Sequence, residues 1–122
     1  MSDSQKNFHK KLLGSVGEKK AAKFLKDKGY KIIAKNYKTG IGEIDLICSD
    51  GDTTVFCEVK TRTSDAFGMP SEAVNKEKQK KYFKLAEQFL IKKFKRIDVK
   101  CRFDVIEVEN GQINHIINAF YM

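Results

Sequence analysis

The chain has 122 residues, of which 41% are hydrophobic and 33% charged, and its formal net charge is +8. That length predicts one domain with enough core to fold without disulfides or a structural metal. The positive charge favours polyanionic partners such as nucleic acid, although a charged coat that keeps the protein soluble fits equally well. The three cysteines lack zinc-site spacing, and no apolar run approaches the length of a membrane span. We therefore expect a cytoplasmic protein without a membrane partner.

Hydrophobic periodicity predicts seven elements along the chain, in the order α-β-β-β-α-β-β. Apolar residues at helical spacing predict a first helix over residues 8–28, which Gly29 ends. A loop is expected over 63–69, and Pro70 suits the first turn of a second helix that continues to about Phe94. Five segments rich in β-branched and aromatic residues are predicted strands, namely 30–37, 41–48, 53–62, 101–109 and 113–120.

Turn sequences mark the connections between the predicted strands. Asp50-Gly51 and Asn110-Gly111 are hairpin signals, so the second strand should pair with the third and the fourth with the fifth. The layer rules then predict an α/β fold in which two helices flank a mixed β-sheet. We expect a single domain over residues 8–122, preceded by a flexible tail of residues 1–7.

Acidic and basic side chains alternate with apolar ones along the second and third predicted strands. Side-chain alternation assigns two faces to the second strand, one with Glu43, Asp45 and Ile47, the other with Ile44, Leu46 and Cys48. One face of the third strand is predicted to carry Phe56, Glu58, Lys60 and Arg62. Pairing through the Asp-Gly turn places Asp45 within a residue or two of the level of Glu58. A merely solvated sheet face would show the same alternation.

The residue types at these positions favour a specific chemistry. An Asp on one strand and Glu-x-Lys on the next are what metal-assisted phosphodiester hydrolysis requires. Asp45 and Glu58 can hold a hard divalent ion, Mg²⁺ or Mn²⁺, and the carbonyl of Val59 can complete the coordination. Lys60 can orient the attacking water or stabilise charge on the phosphorus while the ion polarises the phosphate.

These motifs resemble the YraN family of small bacterial proteins. The likeness rests on Gly42-Glu43-Ile44-Asp45-Leu46-Ile47 and Phe56-Cys57-Glu58-Val59-Lys60-Thr61-Arg62, followed by Phe67-Gly68 and Pro70. It extends from about Gly14 to Val108 and implies a restriction-endonuclease-like core of the PD-(D/E)xK nuclease superfamily, similar to archaeal Holliday junction resolvases. The active-site pattern carries over as Asp45, Glu58 and Lys60. One departure from the wider superfamily is Ile44, which stands where a proline is usual.

Five further residues are candidates with an open alternative. Glu18 shares a helix face with packed residues, and the resemblance implies a helical acid near the metal; otherwise it is a boundary glutamate in a salt bridge. Glu43 is either an auxiliary site residue or a partner that holds Arg62. Arg62 itself is a candidate phosphate clamp. Lys78 either grips a phosphate or snorkels from the helix, and Gln79 is a weaker candidate of the same kind.

The leading hypothesis is an endonuclease that depends on Mg²⁺ or Mn²⁺ and cleaves DNA, with branched or damaged DNA among its candidate substrates. The alternative is a nucleic-acid-binding module in a repair or recombination complex, with a weakly active or inactive site. A structural or protein-interaction domain is a more remote third possibility. A symmetric homodimer would suit cleavage of two strands, and the exposed last strand could provide the contact.

Overall fold

The computed structural model describes residues 3–62 and 74–121, with side chains from residue 14 onward. Helix α1 spans Asp3–Asp27 and helix α2 spans Lys76–Phe94. The strands are β1 (Lys31–Thr39), β2 (Gly42–Asp50), β3 (Thr53–Arg62), β4 (Cys101–Glu109) and β5 (Gln112–Phe120). This order confirms the predicted α/β arrangement.

The helix starts differ from the predicted ones. Helical backbone begins at Asp3, so α1 includes most of the segment expected to be a tail. The second helix was predicted to run without interruption from Pro70, which is wrong at Asn75 because that residue is extended, with φ −78° and ψ 172°. The Asn75 side chain accepts the N–H of Lys78 at 2.9 Å and caps α2. Pro70 and the expected loop lie outside the described residues.

The five strands form one mixed sheet in the order β1-β2-β3-β4-β5. Strand β2 pairs antiparallel with β1 and with β3, and β5 pairs antiparallel with β4. Strands β3 and β4 run parallel. A parallel connection needs a crossover, which α2 supplies between β3 and β4. The two predicted hairpins are therefore confirmed, and β1 and β5 form the sheet edges.

Apolar side chains pack on both faces of the sheet. One cluster joins α2 to the sheet and includes Ile44, Ile47, Phe56, Tyr82, Leu85, Leu90, Phe103 and Phe120. The other joins α1 to the opposite face and includes Ala21, Ala22, Leu25, Leu46, Cys48, Val55, Cys57 and Ile106. The helices thus cover opposite faces, and the free thiols of Cys48 and Cys57 are part of the core on the α1 side.

Strand β2 breaks the predicted alternation of faces at Asp45. Ile44 was assigned to the face of Leu46 and Cys48, but it packs with Ile47 on the α2 side, so that assignment is wrong. The cause lies in the pairing with β3, whose described register ends at Leu46 opposite Cys57. Beyond that pair β2 is held only by β1 on its other side, so its side chains need not follow the pleat shared with β3.

A close approach between α1 and β3 fixes the first helix against the sheet. A Cβ built on Gly17 would lie 2.0 Å from Thr61 Oγ1 and 3.2 Å from Thr61 Cβ. Gly17 is buried within α1, and only the absence of a side chain permits this separation. The contact also positions the next residue, Glu18, at the end of β3.

We expect Gly17→Ala to destabilise the fold, although alanine is normally the better helix former by about 1 kcal/mol. Because the added methyl overlaps Thr61, the helix must shift, as in other overpacked cores that lose about 1–3 kcal/mol. Denaturant unfolding measures the change. Gly14→Ala is the matched control, since a Cβ there meets no described atom within 4 Å. Equal stability of both variants would contradict the predicted close contact.

A buried polar cluster fastens β4 and β5 to the end of α1. Asp104 is fully buried and accepts three kinds of donor: His115 Nε2 at 2.7 Å, the Asn118 N–H at 2.9 Å and Arg102 Nε at 3.1 Å. Lys28 Nζ lies 2.9 Å from His115 Nδ1. Lysine can only donate, so His115 carries its proton on Nε2 and donates it to Asp104. Burial raises the pKa of Asp104, but these hydrogen bonds outweigh burial and the net direction is downward.

Candidate functional site

The candidate site lies where β2 and β3 part. The described register of β2 with β3 ends at Leu46 opposite Cys57, and Asp45 and Glu58 are the next residues along the two strands, which agrees with the predicted level. Asp45 Oδ2 accepts the backbone N–H of Val59 at 2.8 Å. The Asp45 carboxylate therefore accepts a hydrogen bond that a backbone carbonyl of the neighbouring strand would accept in a regular sheet. This hydrogen bond fixes Asp45 beside the Glu-x-Lys segment of β3.

Asp45 occupies an environment that disfavours its negative charge. Burial and then the charge of Glu58 are the largest causes that raise its pKa, to about 7, against 3.8 for an ordinary aspartate. The hydrogen bond from Val59 works in the opposite direction, and Glu18 and Glu43 add smaller upward shifts. Mutual repulsion of this kind requires the carboxylates to be close together, and a cation among them would relieve it.

Glu58 is buried, with 4% of its surface exposed, and two lysines neutralise it. Lys78 Nζ lies 2.5 Å and Lys60 Nζ 3.1 Å from the same oxygen, Glu58 Oε1. Lys60 extends from β3 itself, whereas Lys78 reaches across from α2. Burial acts to lower the pKa of Lys78, but the hydrogen bond and charge of Glu58 outweigh burial and the net direction is upward.

Glu18 and Glu43 reach the edge of the site from α1 and β2. The amide of Asn36, oriented so that its nitrogen donates, bridges Glu18 Oε2 at 3.0 Å and Glu43 Oε1 at 2.9 Å. Burial and then the charge of Glu43 raise the pKa of Glu18, with a smaller contribution from Glu58. The sequence did not single out Asn36. In the structure this residue has a left-handed φ of 51°, a conformation that asparagine tolerates better than most residues.

Arg62 pairs with a residue that the sequence did not single out. Its Nε lies 3.5 Å from Glu107 Oε2, an ion pair whose geometry gives no hydrogen bond. Glu107 stands opposite Lys60 on β4, is buried, and accepts Asn114 Nδ2 at 2.9 Å. Of the two alternatives for Glu43, the one in which it holds Arg62 is not observed among the described contacts, because the parallel strand β4 brings Glu107 to Arg62 instead.

Gln79 turns away from the carboxylates. Its Nε2 donates to the carbonyl oxygen of Val74 at 3.0 Å, which satisfies backbone at the start of α2. Beside it, a pocket of about 300 Å³ opens between the β1–β2 turn and α2, lined by Ile41, Gly42, Glu43, Asn75, Glu77, Lys78, Lys81, Tyr82 and Leu85. Lys78 and Glu43 thus connect the carboxylates to an open groove.

We call the place where β2 and β3 part the fork. The carboxylate oxygens at the fork fit a hard divalent ion in type and charge. In the described part of the chain, no three His, Cys, Asp or Glu side chains form a group that could hold a metal. Asp45 and Glu58 supply two carboxylates, and Mg²⁺ commonly uses one or two carboxylates with water in its other positions. The like charges around Asp45 are the structural observation that supports this fit.

Fold and site together define a small α/β protein whose mixed sheet forks at a cluster of acids and lysines. Neither described helix combines the length and apolar character needed to cross a membrane.

A family model described as "Uncharacterised protein family UPF0102" matches residues 17–108. A UPF0102 protein from Caldanaerobacter subterraneus subsp. tengcongensis is 50% identical over 94% of this chain and 99% of its own length. Relatives from Alkaliphilus oremlandii and Thermodesulfovibrio yellowstonii are each 49% identical, over 90% and 89% of this chain and over 98% and 96% of their own lengths. The chain therefore belongs to the UPF0102 family, which is the YraN family, and the predicted resemblance is confirmed.

Proposed function

We propose that this protein is an endonuclease that hydrolyses phosphodiester bonds in DNA with Mg²⁺ or Mn²⁺. The observation that carries the proposal is the fork, where the partly buried Asp45 lies beside the segment with Glu58 and Lys60 at the departure of β2 from β3. The formal charge of +8 supports a polyanionic substrate. Branched and damaged DNA are the substrates we would test first, and RNA is the comparison.

Asp45, Glu58 and the carbonyl of Val59 would hold the ion. The chemistry that such an ion supplies is neutralisation of the phosphate charge and acidification of water. Lys60 presents an ammonium beside Glu58, where it can orient a water toward phosphorus or stabilise charge on the equatorial oxygens. Glu18, held by Asn36, would support this arrangement from α1 without contacting the substrate.

The proposed DNA path crosses the groove between the β1–β2 turn and α2. Lys78 and Lys81 line that groove and can contact phosphates as point charges. Arg62 is a second candidate clamp on the same face of β3 as Lys60. Binding through such contacts weakens steeply with salt, so the salt dependence of DNA affinity is part of the proposal.

The decisive experiment is a cleavage screen with single-stranded, duplex, flap and four-way-junction DNA, each with EDTA, Mg²⁺ or Mn²⁺. We expect metal-dependent cutting by the wild type and a loss of about 10²–10³-fold in rate for Lys60→Met. Lys100→Met is the matched control, because that lysine is 73% exposed and pairs with Asp52 at the opposite end of β3. Equal cutting by wild type and Lys60→Met would reject the assigned site.

A second function, a DNA-binding module without catalysis, is favoured by one observation. Two lysines already neutralise Glu58, so the site is charge-balanced at that carboxylate without an ion. Salt-sensitive DNA binding, with no uptake of Mn²⁺ or Mg²⁺ by calorimetry and no cutting in the screen, would select this function over the nuclease.

Cytoplasmic location and a homodimer are also parts of the proposal. Cys48 and Cys57 are buried free thiols, which suits a reducing compartment. Two-strand cleavage would be served by a symmetric pair of sites, and light scattering of the purified protein measures whether a dimer forms.

A further inference from the structure

Two lysine ammoniums lie at the Glu58 carboxylate, where a divalent ion would also bind. One buried carboxylate oxygen, Oε1, faces both Lys78 and Lys60. Each ammonium occupies space beside the oxygen that a divalent ion would also approach, and cations a few ångströms apart repel one another. Loading an ion at Oε1 of Glu58 therefore requires at least one ammonium to move away.

Lys78 is better placed to move than Lys60. Its backbone is fixed, since its N–H is bonded to the Asn75 cap, but its side chain is 39% exposed against 28% for Lys60. The four-carbon stem of Lys78 can turn the ammonium from Glu58 into the adjoining groove. Lys78 and Tyr82 both line this groove, and the ring centroid of Tyr82 lies 6.0 Å from Lys78 Nζ, within reach of a cation–π contact.

A phosphate of an anionic substrate bound in the groove would compete with Glu58 for the Lys78 ammonium. Lys78 and Lys81 both line the groove, so a phosphate there would meet two ammoniums. Phosphate oxygens are strong acceptors for ammonium donors, so a phosphate in the groove would compete with Glu58 for Lys78.

We propose that Lys78 is an exchangeable counter-ion, which pairs with Glu58 until a substrate phosphate takes its ammonium and frees the carboxylate for a divalent ion. The inference rests on the proposed function, since it assumes a phosphodiester substrate and an ion at Asp45 and Glu58. Its consequence is coupling: phosphate-bearing substrate tightens ion binding, and by linkage the ion tightens substrate binding by the same factor. Lys78 is a positioning residue in this scheme.

The test measures Mn²⁺ binding by calorimetry in the absence of DNA, so that it does not depend on cleavage. Lys78→Met removes the competing ammonium, and we expect its Mn²⁺ affinity to exceed that of the wild type by about 10-fold or more. Lys80→Met is the matched control, because Lys80 is an exposed neighbour on α2 with the same charge and no described contact to Glu58. Should Lys78→Met fail to fold by circular dichroism, Lys78→Gln provides the same test.

A second measurement follows the coupling. Fluorescence anisotropy of a labelled four-way junction in EDTA and in Ca²⁺, with a gel to verify intact DNA, gives the ion-dependent gain in affinity. We expect a gain several-fold larger for the wild type and Lys80→Met than for Lys78→Met. Equal gains, or Mn²⁺ affinity of Lys78→Met equal to or below that of the wild type, would overturn the exchange. Tighter Mn²⁺ binding by Lys78→Met without any cutting by the wild type would instead overturn the nuclease and leave the exchange intact.

Discussion

Asp45→Asn is expected to abolish metal-dependent cleavage and, at the same time, to make the protein more stable. Asparagine keeps an oxygen that can accept the Val59 N–H but removes the charge that Glu58 opposes. Loss of a charged ligand that contributes several kcal/mol to transition-state stabilisation corresponds to a fall in rate of about 10³-fold or more. Stability that rises as activity falls is typical of a strained active site.

The stability that Asp45→Asn gains over the wild type, measured in EDTA, should increase with pH. The pKa of Asp45 is about 7 in the folded protein, against the ordinary aspartate value of 3.8 in an unfolded chain. The folded state therefore holds the proton more tightly. Between these values the unfolded chain has lost its proton and the folded protein has not. Wild-type stability therefore falls as pH rises from about 4 to 7, by up to about 1 kcal/mol per pH unit.

Denaturant unfolding of wild type and Asp45→Asn at pH 5 and pH 8, in EDTA, measures this difference. The advantage of the variant should be small at pH 5 and larger at pH 8, and added Mn²⁺ should reduce it at pH 8 by stabilising only the wild type. Asp98→Asn is the control, because that residue is exposed and distant from the fork. A pH-independent difference would contradict the like-charge environment described for Asp45.

Asp104→Ala is expected to cause the largest loss of stability, about 3–5 kcal/mol. The substitution leaves the buried imidazole of His115 and the partly buried guanidinium of Arg102 without their shared acceptor, and it removes the acceptor of the Asn118 N–H. A loss of that size is a large part of the total stability of a domain, which is about 5–15 kcal/mol. Chemical denaturation and thermal unfolding measure it.

Asp50→Ala provides the matched control for Asp104, because Asp50 also pairs with Arg102 but is about half exposed. An exposed pair contributes at most about 1 kcal/mol, so this variant should remain close to the wild type. The folded-state pKa of Asp104 lies below its ordinary value of 3.8. Its contribution is therefore present above about pH 4 and is lost as pH falls through the lowered pKa, a decline that Asp104→Ala should lack. Similar stability losses for both aspartate variants would contradict the role of burial.

The order of elements and most strand boundaries could be predicted because they depend on local periodicity. Strands β3 and β4 were predicted at their observed bounds, since turn residues flank runs of β-branched and aromatic side chains. The Asp-Gly turn also determines the register from Asp50 to Leu46, which leaves Asp45 beside the Glu-x-Lys segment, because a tight turn leaves few alternative pairings. Position along the chain was therefore sufficient for the central pair of acids.

Helix boundaries were less predictable from local pattern. Pro70 suited a helix start, but Asn75 competes for the same role as a side-chain cap and holds the backbone extended. The Asn75 cap is a hydrogen bond between backbone and a side chain, which periodicity alone does not register. The face of Ile44 was also missed, since strict alternation assumes pairing on both sides and the described pairing of β2 with β3 ends at Leu46.

By itself, the sequence determined the fold class, the family, and the placement of Asp45 beside the Glu-x-Lys segment, because each depends on residues that are adjacent or joined by a tight turn. Only the tertiary structure decided which basic and acidic residues surround that pair. Lys78 reaches Glu58 across the α2 crossover, and Glu107 meets Arg62 through the parallel strand β4. Such partners are distant in the chain, so their contacts depend on how the layers pack and not on any local spacing.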